Sequence, residues 1–212
     1  IRKINNSYLL GQSNAPATGG DMLKTRSDGT LVWEEVDGTT YVPLVWYGSR
    51  GVFLGRNPGS VNNTIDYVTI ASTGNATDFG DQSTAAGGTH GLSNSIRGVI
   101  SGYSDNRIDY ITIASTGNAS DFGDTTVARS NCGSLSDGTT GLFCGGASSN
   151  VIDYITIAST GNATDFGNLT TVGYGLGSAP SNGSRAVFTG RDIGGGTRTN
   201  TMDYITVATT GN

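Results

Sequence analysis

Residues 64–80 read TIDYVTIASTGNATDFG, residues 107–123 read RIDYITIASTGNASDFG and residues 151–167 read VIDYITIASTGNATDFG. The chain closes on a fourth version, TMDYITVATTGN, at 201–212. The Asp of each version falls at Asp66, Asp109, Asp153 and Asp203, in steps of 43, 44 and 50 residues. A period in that range belongs to helical HEAT or armadillo arrays or to β-propeller blades. Ile, Val, Thr and Tyr dominate the repeated stretch and Gly recurs within it, which disfavours helix and favours strand.

Each repeat divides into four short strands. In the second repeat these are expected at 87–94, 97–102, 107–116 and 119–123. The third strand is apolar on both faces: Ile65 and Tyr67 point one way, Val68 and Ile70 the other. A sheet with one wet face would alternate apolar with polar residues, so both faces are expected to be covered by neighbouring sheets. The first strand is rich in Gly and Ser, as crowding near a central axis would require. Gly-Asn recurs at Gly74-Asn75, Gly117-Asn118, Gly161-Asn162 and Gly211-Asn212. Its residue types predict a tight turn between the third and fourth strands.

These features predict an all-β fold, a β-propeller of four-stranded blades. The repeats run over about 39–83, 84–127, 128–170 and 171–212. An aromatic follows the Asp by 13 residues in three repeats, at Phe79, Phe122 and Phe166; the fourth would need one at 216, past the last residue given. Trp33 lies 33 residues before Asp66 and so takes the phase of the repeated Phe. Strand 30–37 is therefore expected to complete the last blade and close a four-bladed ring. Residues 1–29 stand outside the repeat and read as an N-terminal arm, with a short strand at Tyr8-Leu9-Leu10 and a linker from Gly11 to Asp21. With no Met at its start and no signal-like apolar segment, the chain is expected to be processed or partial.

Composition narrows the chemistry. Only 14% of the 212 residues are charged and the net charge is −5, which argues against a nucleic-acid surface built of clustered Lys and Arg. No apolar run is long enough for a membrane helix, so no membrane insertion is expected. Gly, Ser, Thr and Asn contribute 34, 22, 29 and 17 residues, an excess that the repeated wording and the small-residue strands largely account for. The two cysteines, Cys132 and Cys144, exclude a disulfide framework and a four-thiolate metal site. They fall on adjacent strands, where burial as small apolar residues is favoured over a disulfide.

The single histidine, His90, reads as structural or solvated rather than as one member of a catalytic triad. A lone His also argues against zinc and against a copper centre with several His ligands, and no cofactor is expected. Asp78-Phe79-Gly80 spells a kinase magnesium motif without its glycine-rich loop, Lys or catalytic loop, and reads as strand and turn. Asp66, Asp109, Asp153 and Asp203 form a repeated set, for which turn-fixing or pairing with a repeated Arg is favoured over cation binding. Arg50, Arg97 and Arg185 recur just before the second strand, with Thr140 in the remaining repeat. At least two of these arginines are expected to contact a carboxylate. Partner contacts are expected from loops on one rim. The candidates are Trp46, Tyr47 and Tyr103 for stacking and Arg56, Arg191 and Asp192 for polar contacts.

The phrase IDYITIASTGNATDFG, followed by a small-residue segment and GLFCGG at 141–146, resembles the kelch-like repeats of marine bacteriophage and cyanophage virion proteins. The likeness covers roughly residues 30–212. It departs from the general kelch pattern: Gly-Gly stands only at Gly145-Gly146, against Gly55-Arg56, Gly102-Tyr103 and Gly190-Arg191, and Phe replaces the usual Trp except at Trp33. The resemblance implies a non-enzymatic tail-fibre or appendage module located on the virion. It implies an oligomer that meets other virion proteins through the N-terminal arm, and a host receptor or glycan as a further partner. An extracellular bacterial lectin or scaffold is the alternative, and a hydrolase or oxidase a minor one.

Overall fold

The computed structural model describes residues 21–25 and 31–35 as backbone alone, and residues 49–55, 61–146, 149–173, 179–194 and 197–207 with their side chains. The chain divides into two compact parts, residues 1–46 and residues 47–212.

In the first part, strands β1 (Asp21–Thr25) and β2 (Leu31–Glu35) form an antiparallel hairpin with Leu23 opposite Trp33. The arm expected at 1–29 thus contributes a strand, and β2 takes β1 as its partner. A hairpin closes a short loop and costs little chain entropy. Of the strand expected at 30–37, residues Leu31–Glu35 are described as strand. Tyr8-Leu9-Leu10 lies outside the described residues.

The second part is all antiparallel sheet among its described residues. The first repeat contributes β3 (Arg50–Leu54), β4 (Thr64–Thr69) and β5 (Thr77–Asp81). The second contributes β6 (His90–Ser93), β7 (Arg97–Ser101), β8 (Arg107–Thr112) and β9 (Ser120–Asp124). The third contributes β10 (Gly133–Ser136), β11 (Thr140–Cys144), β12 (Val151–Thr156) and β13 (Thr164–Asn168). The fourth contributes β14 (Arg185–Asp192) and β15 (Arg198–Thr206). Strands pair in chain order within each sheet. The expected four-strand division is met in the second and third repeats.

Asx turns set the step from first to second strand. Asn94 Oδ1 accepts from the amides of Ile96 and Arg97 at 2.8 and 2.7 Å, and Asp137 Oδ1 from those of Thr139 and Thr140 at 2.8 and 2.6 Å. Asn182 does the same for Ser184 and Arg185 at 3.0 and 2.8 Å. A short Asn or Asp side chain mimics a backbone turn in this way.

The Gly-Asn pair does not make the tight hairpin expected of it. The chain leaves the third strand by a turn, with the Ser115 amide donating to the Thr112 carbonyl at 3.2 Å, and reaches the fourth strand only at Ser120. Gly117 and Ala119 instead donate to the carbonyls of Phe79 and Asp81 in the preceding sheet, both at 2.8 Å. The Asn118 side chain accepts from the Asp81 amide at 3.0 Å. Gly161, Asn162 and Ala163 repeat this on Phe122 and Asp124, at 2.7, 3.1 and 2.8 Å. The motif is a clasp between sheets. It explains Gly80 and Gly123, where a Cβ would overlap the carbonyl of Gly117 or Gly161.

In the second and third repeats both faces of the third strand are covered, as the apolar pattern demanded. Three core clusters lie between successive sheets. The first joins Ile65 and Phe79 of one sheet to Ile100 and Ile111 of the next, and the second joins Ile108 and Phe122 to Phe143 and Ile155. The third joins Ile152 and Phe166 to Phe188 and Ile205. The described residues therefore form three junctions between four sheets. A closed ring of four blades requires four.

Candidate functional site

Three of the four repeated aspartates sit at a fixed irregularity. The pairing of third and fourth strands shifts register at Ile65/Asp66, Ile108/Asp109 and Ile152/Asp153. A bulge re-aims a side chain, and here it accompanies an aspartate that reaches the segment after the preceding sheet. Thr126 gives Asp153 its amide at 2.9 Å and its hydroxyl at 2.6 Å. Thr170 gives Asp203 the same pair at 3.2 and 2.6 Å. Ser83 gives Asp109 its amide at 3.3 Å and also its hydroxyl. Asp66 is engaged as well.

A buried cation completes two of these sites. Arg129 is fully buried and its Nη2 lies 2.5 Å from Asp153 Oδ2. Its Nη1 donates to the carbonyls of Phe143, Gly145 and Val151 at 2.9, 3.4 and 3.3 Å. Arg191 is equally buried, pairs with Asp203 and donates to the Thr171 carbonyl at 2.7 Å. The two arginines come from different positions in the repeat. Arg129 aligns with Gly173 and with Ala86, each seven residues after the repeated Phe. Arg191 aligns with Gly146 and Tyr103, each after the second strand's glycine.

Each junction thus carries one large and one small residue. A Cβ on Gly146 would come within 3.0 Å of Cys132, and one on Gly173 within 2.7 Å of Arg191 Cβ. In the second repeat Tyr103 takes the large place beside Ala86, and both are buried. Burial first, then the Asp109 carboxylate beside it, pushes the Tyr103 phenol well above its usual range. Burial alone would raise the Asp203 carboxyl. Its hydrogen bonds from Thr170 and its pairing with Arg191 outweigh that and hold it below the ordinary carboxylate value.

The expected arginines do something else. Arg50, Arg97 and Arg185 stack on Tyr67, Tyr110 and Tyr204 of their own sheets, at 4.6, 4.7 and 4.7 Å from the ring centres. Arg50 Nη1 donates to the Ile113 carbonyl of the next sheet at 2.9 Å, and Arg97 Nη1 to the Ile157 carbonyl at 3.3 Å. Among the described residues none of the three pairs with a carboxylate. The Asp side chain lies across the sheet from the Arg–Tyr face, because successive strand residues alternate.

The loop candidates fare differently. Tyr103 and Arg191 are not surface groups, since both are buried in junctions. Asp192 holds a surface turn, accepting from the Gly194 amide at 2.8 Å. Trp46, Tyr47 and Arg56 lie outside the described residues, as does the Trp33 side chain. Phe79, Phe122 and Phe166 are buried, edge-on to Tyr67, Tyr110 and Tyr154 at 5.9, 6.1 and 6.2 Å. Arg129 and the hydroxyls of Ser83, Thr126 and Thr170 were missed from sequence. A hydroxyl residue four positions after each repeated Phe was the available signal.

Cys132 and Cys144 are free and buried. They face opposite sides of their sheet, in different core clusters, which accounts for the absence of a bond. Burial pushes the Cys132 thiol up to about 11 and the Cys144 thiol well above its ordinary value. His90 borders a cleft of about 640 Å³ between the first and second repeats, with Arg50, Asp66, Val52 and Ile111. Burial lowers its pKa, so the imidazole is neutral at pH 7. Among the described residues no cluster of three or more His, Cys, Asp or Glu is placed to hold a metal. Compared with protein-family models and with curated proteins, the chain matches none.

Proposed function

We propose that this chain is a non-enzymatic structural module of a bacteriophage particle, with propeller-like blades presented in a tail fibre or appendage for attachment to a host surface. One observation carries the non-catalytic part. Asp109, Asp153 and Asp203, with the two fully buried arginines, join one sheet to the next. An acid held by two donors from a neighbouring sheet stabilises a scaffold and is poorly placed to exchange protons with a substrate. The phage assignment rests on the repeat wording and its likeness to virion proteins. Attachment would draw on many weak contacts from the connections between strands, multiplied by copies on one particle.

Immunogold labelling of purified particles with antiserum raised against this chain tests the reading. Labelling of tail appendages, together with blocked adsorption when host cells are first incubated with the chain, is the expected result. Labelling confined to bacterial cell surfaces would replace the virion reading by a cell-surface scaffold.

A further inference from the structure

The three junctions share one design. Each presents the Tyr-bearing face of one sheet to the Asp-bearing face of the next. On the receiving face, Phe53, Ile100, Phe143 and Phe188 are equivalent, each opposite the repeated Asp. Ile100, Phe143 and Phe188 are 1%, 0% and 1% exposed, whereas Phe53 is 54% exposed. Ile70 corresponds to Ile113, Ile157 and Val207: each of the four amides donates to the carbonyl of the residue just before its second strand. Ile113, Ile157 and Val207 are buried, and Ile70 is 53% exposed.

At the other end the pattern inverts. Met202 stands where Ile65, Ile108 and Ile152 stand, and Tyr204 where Tyr67, Tyr110 and Tyr154 stand. The three isoleucines are fully buried; Met202 and Tyr204 are 67% and 65% exposed. Arg185 already lies over Tyr204 in the pose that Arg50 and Arg97 adopt at their junctions. Those two donate across to Ile113 and Ile157 carbonyls, while Arg185 has no acceptor among the described residues. The carbonyl equivalent to those acceptors on the open first sheet is that of Ile70.

We propose that a second copy of this chain docks head to tail, the Met202–Tyr204 face of one copy seated on the Phe53–Ile70 face of the other. The Arg185 guanidinium then donates to the Ile70 carbonyl of the neighbouring copy. The occupant is a second copy because each open face is the missing partner of the other, in a junction this sequence already builds three times. Such an interface is heterologous; it closes into a ring where the rotation allows and otherwise extends. This inference stands whether or not the chain belongs to a virion.

Sedimentation velocity over a concentration series tests it, using the whole chain and two variants, Phe53→Asp and Met202→Asp. Both side chains are exposed, so circular dichroism should show both variants folded. The unaltered chain is expected to associate, and each variant alone to sediment as one chain. An equimolar mixture of the two variants is expected to form one-to-one pairs through the single junction left intact. An unaltered chain that stays single at the highest concentration would overturn the proposal. So would either variant alone associating as the unaltered chain does, or a mixture that stays single.

Discussion

Asp203, paired with Arg191 in its own sheet, ties two repeats together through Thr170. Both groups are buried, and the carboxylate also takes the amide and hydroxyl of Thr170. Removing one member of such a pair strands the other charge, at about 3–5 kcal/mol. Asp203→Asn should therefore lower the unfolding free energy by that order, read as a fall in urea midpoint without a change in slope if unfolding stays two-state. The pH dependence follows from the lowered carboxyl. The folded chain keeps Asp203 ionised to lower pH than the unfolded chain does, so the unfolded form takes the proton first. The stabilisation is complete above about pH 4, the value of a free carboxylate, and is lost as pH falls through the lower folded value. Urea midpoints measured from neutral pH downward should fall in that acid range, and Asp203→Asn should remove part of the fall. An identical acid slope in both proteins would exclude this role for Asp203.

At the scale of strands and turns, the repeat was legible and its joints were not. Alternation of apolar residues around each Asp announced a strand covered on both sides, and the core clusters agree in the second and third repeats, while the first and fourth each leave one face exposed. The Asx turns were legible in kind, since Asn and Asp are turn residues. The Gly-Asn motif misled because residue type points to a hairpin, while its partner lies some 37 residues away in another sheet. The arginines misled for a related reason. A repeated Arg near a repeated Asp suggests a pair, but alternation places them on opposite faces, and the paired arginines occur once each at two different positions. Size exchange between those positions, Arg129 with Gly146 and Gly173 with Arg191, cannot be read without the sheets in place. The clasp makes a direct prediction. Gly123 holds a φ of 146° and a Cβ there would overlap the Gly161 carbonyl, whereas Gly74 has open space around it. Gly123→Ala should cost about 1–3 kcal/mol, and Gly74→Ala little. Equal costs in denaturant titrations of the two variants would refute the clasp.

Among the described residues of the second part, the core clusters join each sheet to its neighbours in a row. Stability in such a row is a sum of sheet terms and junction terms. The second and third repeats each lie between two junctions, and the first and fourth have one each. A junction buries several Ile and Phe side chains, each worth about 1.5–3 kcal/mol, so losing one on one side is a large difference between repeats. Native-state hydrogen exchange should therefore grade along the chain. Amides of β7, β8, β11 and β12 should show the highest protection, and those of β3, β14 and β15 lower values, measured at a concentration where the chain is single. Raising the concentration should lift protection at the two end repeats more than in the middle, because head-to-tail docking gives each its second junction. Uniform protection at all concentrations would mean that the sheets open as one block, and that the end faces gain nothing from a neighbour.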